Sequence, residues 1–129
     1  MSELPLSPKI SIIVPCYNEE QTIGLLLKSI LSQTVPSDQL EVIIADGLST
    51  DRTREIVQSF QDSHPALTIQ IIDNPRRIIP AALNLAIQAG HGDTIIRLDA
   101  HCMPYPNYIE GCISALQTAK GDNVGGVWE

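Results

Sequence analysis

Asp99 and His101 are the residues whose types and spacing best suit metal chemistry. They lie two positions apart, directly after the apolar run at 95–98, where a strand would end and a loop would begin. From such a loop both side chains can turn toward one cation. The carboxylate suits Mg²⁺ or Mn²⁺, and the imidazole shifts the preference toward Mn²⁺. The alternative is structural: Asp99 caps a turn, and His101 is an ordinary loop residue.

A second acidic segment, at residues 46–51, also follows an apolar run. Asp46 could accept hydrogen bonds from a base or a ribose, and Gly47 would permit a tight turn. Asp51 precedes a helical pattern, and capping that helix is the favoured interpretation of this residue. Asp46 is therefore the functional candidate of this segment.

Basic and nucleophilic candidates are few. Arg76 and Arg77 form a basic pair that could contact a diphosphate, with a solvated loop as the alternative. Arg97 should pair with an acidic neighbour. Cys16 is favoured as a small buried residue over a nucleophile, because no histidine can be linked to it from the sequence.

The elements that position these residues alternate between strands and helices. Compact β-branched runs predict strands, the first of them stopped by Pro15, and apolar residues at helical spacing predict helices between them. This order predicts an α/β fold, a mainly parallel sheet with flanking helices, in a single domain over residues 1–129. The predicted strands are 10–14, 42–44, 67–72, 95–98 and a fifth from Val124, and the predicted helices are 21–32, one carrying Ile56, Val57 and Phe60, 81–89 and 106–118.

Acidic and amide side chains collect where these strands end. The carboxyl ends of parallel strands share one edge of the sheet, and ligands bind in the crevice outside it. An acidic edge on a chain of net charge −7 is unfavourable unless a cation or hydrogen-bond donors occupy it. A divalent metal with a phosphorylated ligand would meet that requirement.

Composition and missing motifs exclude several classes of function. The chain has 15 Asp plus Glu against 8 Lys plus Arg, with no basic cluster larger than a pair, which argues against a nucleic-acid partner. Its three cysteines fit no disulfide scaffold, and neither a secretory signal nor a membrane-spanning run occurs in it, so we expect a cytoplasmic location. A Gly-rich dinucleotide motif and a P-loop are both missing.

Four segments together resemble family 2 glycosyltransferases of the GT-A fold. They are Ile-Ile-Val-Pro-Cys-Tyr-Asn-Glu at 12–19, Ile-Ile-Ala-Asp-Gly-Leu-Ser-Thr-Asp at 43–51, Asn-Pro leading to Ala-Leu-Asn at 74–84, and Arg-Leu-Asp-Ala-His at 97–101. Their order and spacing fit from Ile10 to Trp128. The Asp-Ala-His-Cys and Asn-Pro-Arg-Arg-Ile stretches look closest to members of the succinoglycan type, which build bacterial exopolysaccharide.

The resemblance implies binding of a nucleotide-sugar donor, commonly UDP-linked. It implies that Asp46 contacts the uracil and that further residues line the nucleotide pocket. Those residues are Pro15, Tyr17, Glu19, Arg77, Asn84 and Asp99.

The resemblance also implies a divalent metal, Mn²⁺ or Mg²⁺. Asp99 and His101 occupy the family's Asp-x-Asp positions, with Asp99 near the ribose and the metal as the catalytic residue and His101 as a metal ligand. Histidine replaces the second aspartate here, which removes one negative charge.

The implied reaction is an inverting displacement that moves the sugar to a polysaccharide or lipid-linked acceptor. It needs a general base, and neither the acidic base of the family nor its Gln-x-x-Arg-Trp motif can be placed after His101. We therefore expect the donor-binding part of a longer enzyme. Helices outside this chain could associate with a membrane, and the location would then be membrane-peripheral.

Two other functions remain open at this point. One is a non-catalytic α/β module that uses the acidic edge to bind a metal or a partner. The other is a nucleotidyltransferase, although such enzymes usually carry a Gly-rich, basic loop after the first strand. Cooperative binding of metal and UDP would distinguish the enzyme from the module.

Overall fold

A parallel four-stranded sheet forms the centre of the fold. In the computed structural model, which describes residues 8–118, the strands are β1 (Ile10–Cys16), β2 (Leu40–Asp46), β3 (Thr68–Asp73) and β4 (Thr94–Arg97). They lie in the order β3-β2-β1-β4, and each neighbouring pair is parallel. The predicted α/β class is confirmed, and the fifth strand predicted from Val124 lies outside the described residues.

The helices cover both faces of the sheet. They are α1 (Ile23–Leu31), α2 (Thr53–Ser63), α3 (Ile79–Ala89) and α4 (Tyr108–Thr118), with a 3₁₀ turn at Ser37–Gln39. Helices α1 and α2 pack against each other on one face, and α3 packs on β1 and β2 from the other. Within residues 8–118, every helix is too short or too polar to cross a bilayer.

The strand order creates a switch point between β1 and β4. From β1 the chain moves outward through β2 to β3, and α3 then carries it back across the opposite face to β4. The direction of the strand order reverses between β1 and β4, and ligands of α/β proteins bind at such a point, in the crevice outside the carboxyl ends of the strands. The topology therefore places the acidic segments around one crevice.

Strands β1 and β2 are buried on both faces, so successive residues pack against helices on opposite faces of the sheet. Ile12 and Val14 pack into the cluster under α1 and α2, whereas Ile13 packs against Ala82 and Ala86 of α3. The alanines let α3 lie close to the sheet. Complete burial of each branched side chain contributes about 1.5–3 kcal/mol.

Pro15 was predicted to end β1, and this prediction was wrong. The strand continues to Cys16, and Pro15 pairs with Ala45 of β2. The carbonyl of Ile13 accepts the N–H of Leu98, so the backbone of Ile13 faces β4. Backbone groups point to alternate sides at successive residues of a strand, and the backbone of Pro15, two residues later, therefore faces the β4 side as well. Because β4 ends at Arg97, the missing N–H of Pro15 leaves no ladder bond unmade.

A buried carboxylate joins three segments at the amino edge of the sheet. Glu41 of β2 accepts hydrogen bonds from Ser11 Oγ at 2.6 Å and from the backbone N–H of His91, and its Oε1 lies 3.0 Å from His91 Nδ1. The N–H of Gly92 donates to Ser11 Oγ at 2.8 Å. These partners explain how β2 can begin at Leu40 and include a charged residue, two positions before the predicted start at Val42.

The approach of Gly92 to β1 predicts a sharp difference between two glycines. A Cβ at Gly92 would lie 2.7 Å from the backbone nitrogen of Ser11, whereas a Cβ at Gly111 in α4 would meet no atom within 4 Å. Gly92→Ala should lower the free energy of unfolding by about 1–3 kcal/mol. Gly111→Ala should raise it by about 0.5–1 kcal/mol, because alanine favours a helix. Urea unfolding measures both, and equal effects would contradict the packing.

Glu41 also predicts a pH dependence of stability. Burial opposes its ionisation, but hydrogen bonds from Ser11 and His91 outweigh burial and lower its pKa from the ordinary value of 4.5. The stability that this carboxylate contributes is therefore present above pH 4.5 and is lost as the pH falls through the folded-state pKa. Between about pH 7 and about pH 3, Glu41→Gln should lose less stability than the parent chain. Parallel pH curves from urea unfolding would refute this assignment.

Candidate functional site

A cleft of about 210 Å³ lies at the carboxyl edge of the sheet, and loops from all four strands line it. Two predicted site residues lie outside its lining. Asp46 is buried at the end of β2, and Asn84 is exposed on α3. The cleft brings together the other six predicted residues, Pro15, Tyr17, Glu19, Arg77, Asp99 and His101.

Sheet hydrogen bonding extends past the strands into the cleft. The N–H of Gly47 donates to the carbonyl of Cys16, and the N–H of Asn74 donates to the carbonyl of Asp46, each at 2.8 Å. Gly47 does not adopt the left-handed backbone conformation. Leu48, the next residue, adopts it instead, with φ 63°. A Cβ on Gly47 would lie 3.2 Å from Cδ1 of Tyr17, so the close approach of that ring is what favours glycine here.

Asp46 is a buried charge whose partners come from the loop and helix that follow it. It accepts hydrogen bonds from the N–H and Oγ of Ser49 and from Nε of Arg54 at 2.7 Å. Arg54 also bonds Asp73, the neighbour of Asp46 on β3. One guanidinium therefore compensates two carboxylates of the acidic edge.

The loops after β1 and β2 are clamped together. The N–H of Asn18 donates to Ser49 Oγ at 2.8 Å, and Asn18 Oδ1 accepts the N–H of Thr50 at 2.8 Å. The N–H of Glu19 donates to Thr53 Oγ1 at 2.9 Å. Asn18 has φ 50°, a conformation that asparagine tolerates better than most residues. The clamp fixes the backbone beside Tyr17 and Glu19.

Asp51 has the structural role favoured for it. Its carboxylate accepts the N–H of Thr53, the first residue of α2, at 2.9 Å and the N–H of Glu20 at 3.2 Å. Slight burial opposes ionisation, but the bonds from Thr53 and Glu20 outweigh it and lower the pKa of Asp51. This residue supports the start of α2 and the loop clamp.

Asp99 and His101 lie in a tight turn after β4. The N–H of Cys102 donates to the carbonyl of Asp99 at 3.0 Å, and Ala100 between the two candidates is buried. Arg97 pairs with Asp99 as predicted, with Nε 3.0 Å from Oδ1. Across the cleft, Nδ1 of His101 lies 4.0 Å from Oε1 of Glu19. The turn therefore contributes both a carboxylate and an imidazole to the cleft lining.

Asn74 lines the cleft and has one buried side-chain acceptor without a partner among the described residues. Its side chain is buried, and Nδ2 donates to the carbonyl of Ile78 at 3.1 Å, which fixes the orientation of the amide. Oδ1 is buried without a hydrogen-bond partner in the part of the chain that the structure describes. Buried polar atoms are rarely left unpaired, and an exception beside a cleft indicates a group that a ligand can satisfy.

Tyr17 and Arg77 form the rim beside Asn74. The guanidinium carbon of Arg77 lies 5.4 Å from the centroid of the Tyr17 ring, a cation–π geometry. Arg77 has φ 59°, and its N–H donates to the carbonyl of Asn74 at 3.1 Å. Holding this residue in the left-handed region costs about 1–2 kcal/mol, which the surrounding loop must offset.

Cys16 is a buried residue of the cleft floor, as the sequence favoured. Burial, followed by the nearby carboxylates of Asp46, Glu19 and Asp51, raises the pKa of its thiol to about 12. A thiol that remains protonated at neutral pH is a poor nucleophile.

Residues 11–129 match the protein family described as glycosyl transferase family 2. The chain belongs to this family. Among curated relatives, the glycosyltransferase AglE of Haloferax volcanii is 34% identical over 92% of this chain and 39% of its own length. The succinoglycan biosynthesis protein ExoA of Rhizobium meliloti is 36% identical over 88% of this chain and 34% of its own.

Solved glycosyltransferases share the fold. One is the mannosyltransferase PcManGT from Pyrobaculum calidifontis, solved in complex with GDP-Man and Mn²⁺. It superposes on this chain with a TM-score of 0.79 and 32% sequence identity, and the match covers 86% of this chain and 33% of that chain. Staphylococcus aureus TarS residues 1–349, in complex with UDP, has a TM-score of 0.71 at 24% identity over 84% of this chain and 32% of that chain, a likeness in fold alone.

These comparisons confirm the predicted family and the GT-A type of α/β fold. The resemblance to succinoglycan-type members is confirmed by ExoA. The chain spans 39% or less of the length of these relatives and structures. The roles predicted for individual residues of this chain are not tested by these comparisons and remain predictions.

Arg54 and Asn74 are the site residues to which sequence reasoning assigned no role. The ion pairs of Arg54 could have been predicted from its position in the first turn of α2. A cation there interacts unfavourably with the helix dipole, which indicates that an acidic partner stabilises it. Asn74 was recognised as a polar residue after a strand and as the first residue of the third segment that resembles the family, but it was given no site role. Its unpaired oxygen depends on the path of the next four residues, which no spacing rule specifies.

Arg54 gives a testable prediction about the acidic edge. Arg54→Met leaves buried Asp46 without a charged partner and should lower the free energy of unfolding by about 1.5–3 kcal/mol. Arg52→Met is the matched control, because Arg52 makes an exposed pair with Glu55 that is worth less than about 1 kcal/mol. Urea unfolding of the two variants provides the comparison. A loss for Arg54→Met no larger than for Arg52→Met would contradict the proposed compensation.

Proposed function

We propose that this chain is the donor-binding portion of an inverting family 2 glycosyltransferase. Its donor is a nucleoside diphosphate sugar, UDP-linked, and its acceptor is a growing polysaccharide or a lipid-linked saccharide. The relatives support the class of reaction, since AglE and ExoA are a glycosyltransferase and a succinoglycan biosynthesis protein. PcManGT supports a nucleoside diphosphate sugar as the donor, since its complex contains GDP-Man.

The observation that carries this proposal is the division of the cleft into two chemically different ends. Toward β3, the unpaired Oδ1 of Asn74 and the Tyr17 ring offer a hydrogen-bond acceptor and an aromatic surface. Toward β4, Asp99 and His101 offer ligands for a cation. A nucleoside diphosphate has the same division, with N–H and O–H donors at one end and a diphosphate that binds metal ions at the other.

Asp46 retains its predicted contact with the base as part of this proposal. Asp46 directly precedes Gly47, which lines the cleft, and Ser49 and Arg54 fix the position of its carboxylate. A carboxylate can accept more hydrogen bonds than these residues supply. Asn84 receives no role, because it is exposed on α3 outside the cleft.

The residues present fit a divalent metal whose coordination is completed by the donor. A carboxylate and an imidazole form a mixed oxygen and nitrogen set that suits Mn²⁺. Within residues 8–118, no three acidic, histidine or cysteine side chains cluster closely enough to hold a cation alone. A cation held by Asp99 and His101 would therefore depend on phosphate oxygens for its remaining ligands. When bound, it would neutralise the charge that develops on the departing nucleoside diphosphate.

The chain's own residues then bind and orient the donor. The clamped loops hold Pro15 and Tyr17 beside the nucleoside and Glu19 opposite His101, and Arg97 fixes Asp99 in the turn after β4. Glu110 is unsuited as the general base, because it accepts a hydrogen bond from Thr34 and lies outside the cleft lining. We expect the isolated chain to bind nucleotide without transferring sugar, and transfer by this chain alone would contradict that expectation.

Calorimetric titration of UDP tests the donor site. Binding should require Mn²⁺, because a cation held by Asp99 and His101 would neutralise the diphosphate and couple its binding to that of the metal. Asp99→Ala and His101→Ala should each weaken binding by at least about tenfold, as expected when metal ligands or their supports are lost.

Asp93→Ala is the matched control for these variants. Asp93 is an exposed acid at the opposite end of β4 and should leave UDP binding unchanged. UDP binding that is equally strong with chelator, and in both cleft variants, would refute the proposed site. Binding of Mn²⁺ that is independent of UDP would favour the non-catalytic module.

A further inference from the structure

Glu19 and His101 face each other across the mouth of the cleft. Oε1 of Glu19 lies 4.0 Å from Nδ1 of His101, and both residues line the cleft. The two belong to different loops, one after β1 and one after β4, which meet at the switch point of the sheet. The pair therefore spans the place where the proposed cation and diphosphate would lie.

Glu19 is held in position from three directions. Its backbone N–H donates to Thr53 Oγ1 at 2.9 Å, and its carbonyl accepts the N–H of Ile23, the first residue of α1, at 2.9 Å. Its Oε2 accepts the hydroxyl of Thr22 at 3.1 Å. One carboxylate oxygen is thus anchored, and the other is the one that faces His101.

The orientation of His101 determines which ring nitrogen can meet a cation. Histidines that bind metals usually donate the N–H of the second ring nitrogen to a carboxylate or carbonyl, and this contact fixes the ring and its tautomer. Nδ1 of His101 faces the free oxygen of Glu19, so Nε2 is the nitrogen left for a cation. At 4.0 Å the pair is within ion-pair range but longer than a hydrogen bond. Rotation of the exposed imidazole can shorten it.

We propose that Glu19 is a positioning residue for the metal, not a nucleotide contact. It orients His101 so that Nε2 meets the cation, and it adds a second negative charge to that of Asp99. The pairing of an imidazole ligand with a supporting carboxylate makes the site prefer Mn²⁺ over Mg²⁺. This inference rests on the proposed function, because it assumes that the cation binds with a nucleoside diphosphate.

Glu19→Gln tests the orientation with little change of shape. Titration of Mn²⁺ at saturating UDP, followed by electron paramagnetic resonance, should show an affinity about 10–100-fold lower than in the parent chain. Affinity for Mg²⁺ should fall less, so the preference for Mn²⁺ should shrink. Glu20→Gln is the matched control, because Glu20 is exposed, lies outside the cleft and carries the same charge. It should change Mn²⁺ affinity less than about threefold, as expected for a charge screened by solvent.

The same substitution in a His101→Asp background separates positioning from direct contact. With aspartate at position 101, Glu19 faces a like charge and has no imidazole to orient. Glu19→Gln should then lower Mn²⁺ affinity much less than it does in the parent chain, because only its charge is lost and no imidazole is left to orient, so the effects of the two substitutions are not additive. A role of Glu19 in contacting the nucleotide would weaken UDP binding equally in both backgrounds.

Three results would overturn the inference. Equal losses from Glu19→Gln in both backgrounds would show a contact or a structural role instead. Unchanged Mn²⁺ affinity in Glu19→Gln, with normal binding of Mn²⁺ and UDP by the parent chain, would reject this inference and leave the proposed function intact. Absence of UDP-dependent Mn²⁺ binding in the parent chain would reject both.

Discussion

The buried charge of Asp46 is the constraint on which the cleft depends. It ends a strand that is buried along its whole length, where an unpaired carboxylate would be strongly unfavourable. The chain meets this constraint locally, because Ser49 turns back onto the carboxylate and the first turn of α2 brings Arg54 to it. Satisfying one charge therefore fixes both the loop after β2 and the start of the next helix.

The rest of the cleft is built outward from that loop. Ser49 holds Asn18, and Thr53 holds Glu19, so the loop after β1 takes its shape from the loop after β2. Arg54 reaches Asp73 on the other side, which joins the end of β3 to the same unit. The turn after β4 contributes Asp99 and His101 independently. The proposed donor would lie between a rigid nucleoside end and a metal end that is completed only when the diphosphate binds.

Much of the fold could be predicted because the strands are β-branched runs with acidic residues at their ends. The parallel order places those ends on one edge, which was sufficient to locate the cleft and six of its predicted residues. The conserved geometry of such sheets does not depend on details of the loops. For the same reason, the positions of Tyr17, Asp99 and His101 could be predicted from the ends of β1 and β4.

The features that could not be predicted depend on partners that are distant in the sequence. Glu41 precedes the predicted start of β2, and it can lie in this buried strand because Ser11 and His91 hydrogen-bond its carboxylate. Pro15 looked like the end of β1, and only the early end of β4 made it acceptable within the strand. The unpaired oxygen of Asn74 likewise requires the folded loop. In each case a residue's local preference is outweighed by a contact that only the assembled sheet provides.

The central claim is that a nucleoside diphosphate and a divalent cation bind together in the crevice between β1 and β4. Paramagnetic broadening of backbone amide signals by Mn²⁺, recorded without and with UDP, tests it most directly. With UDP present, broadening should centre on residues 97–102 and 15–19, and the same signals should broaden much less without UDP. Broadening centred elsewhere on the chain, or identical broadening with and without UDP, would contradict the claim.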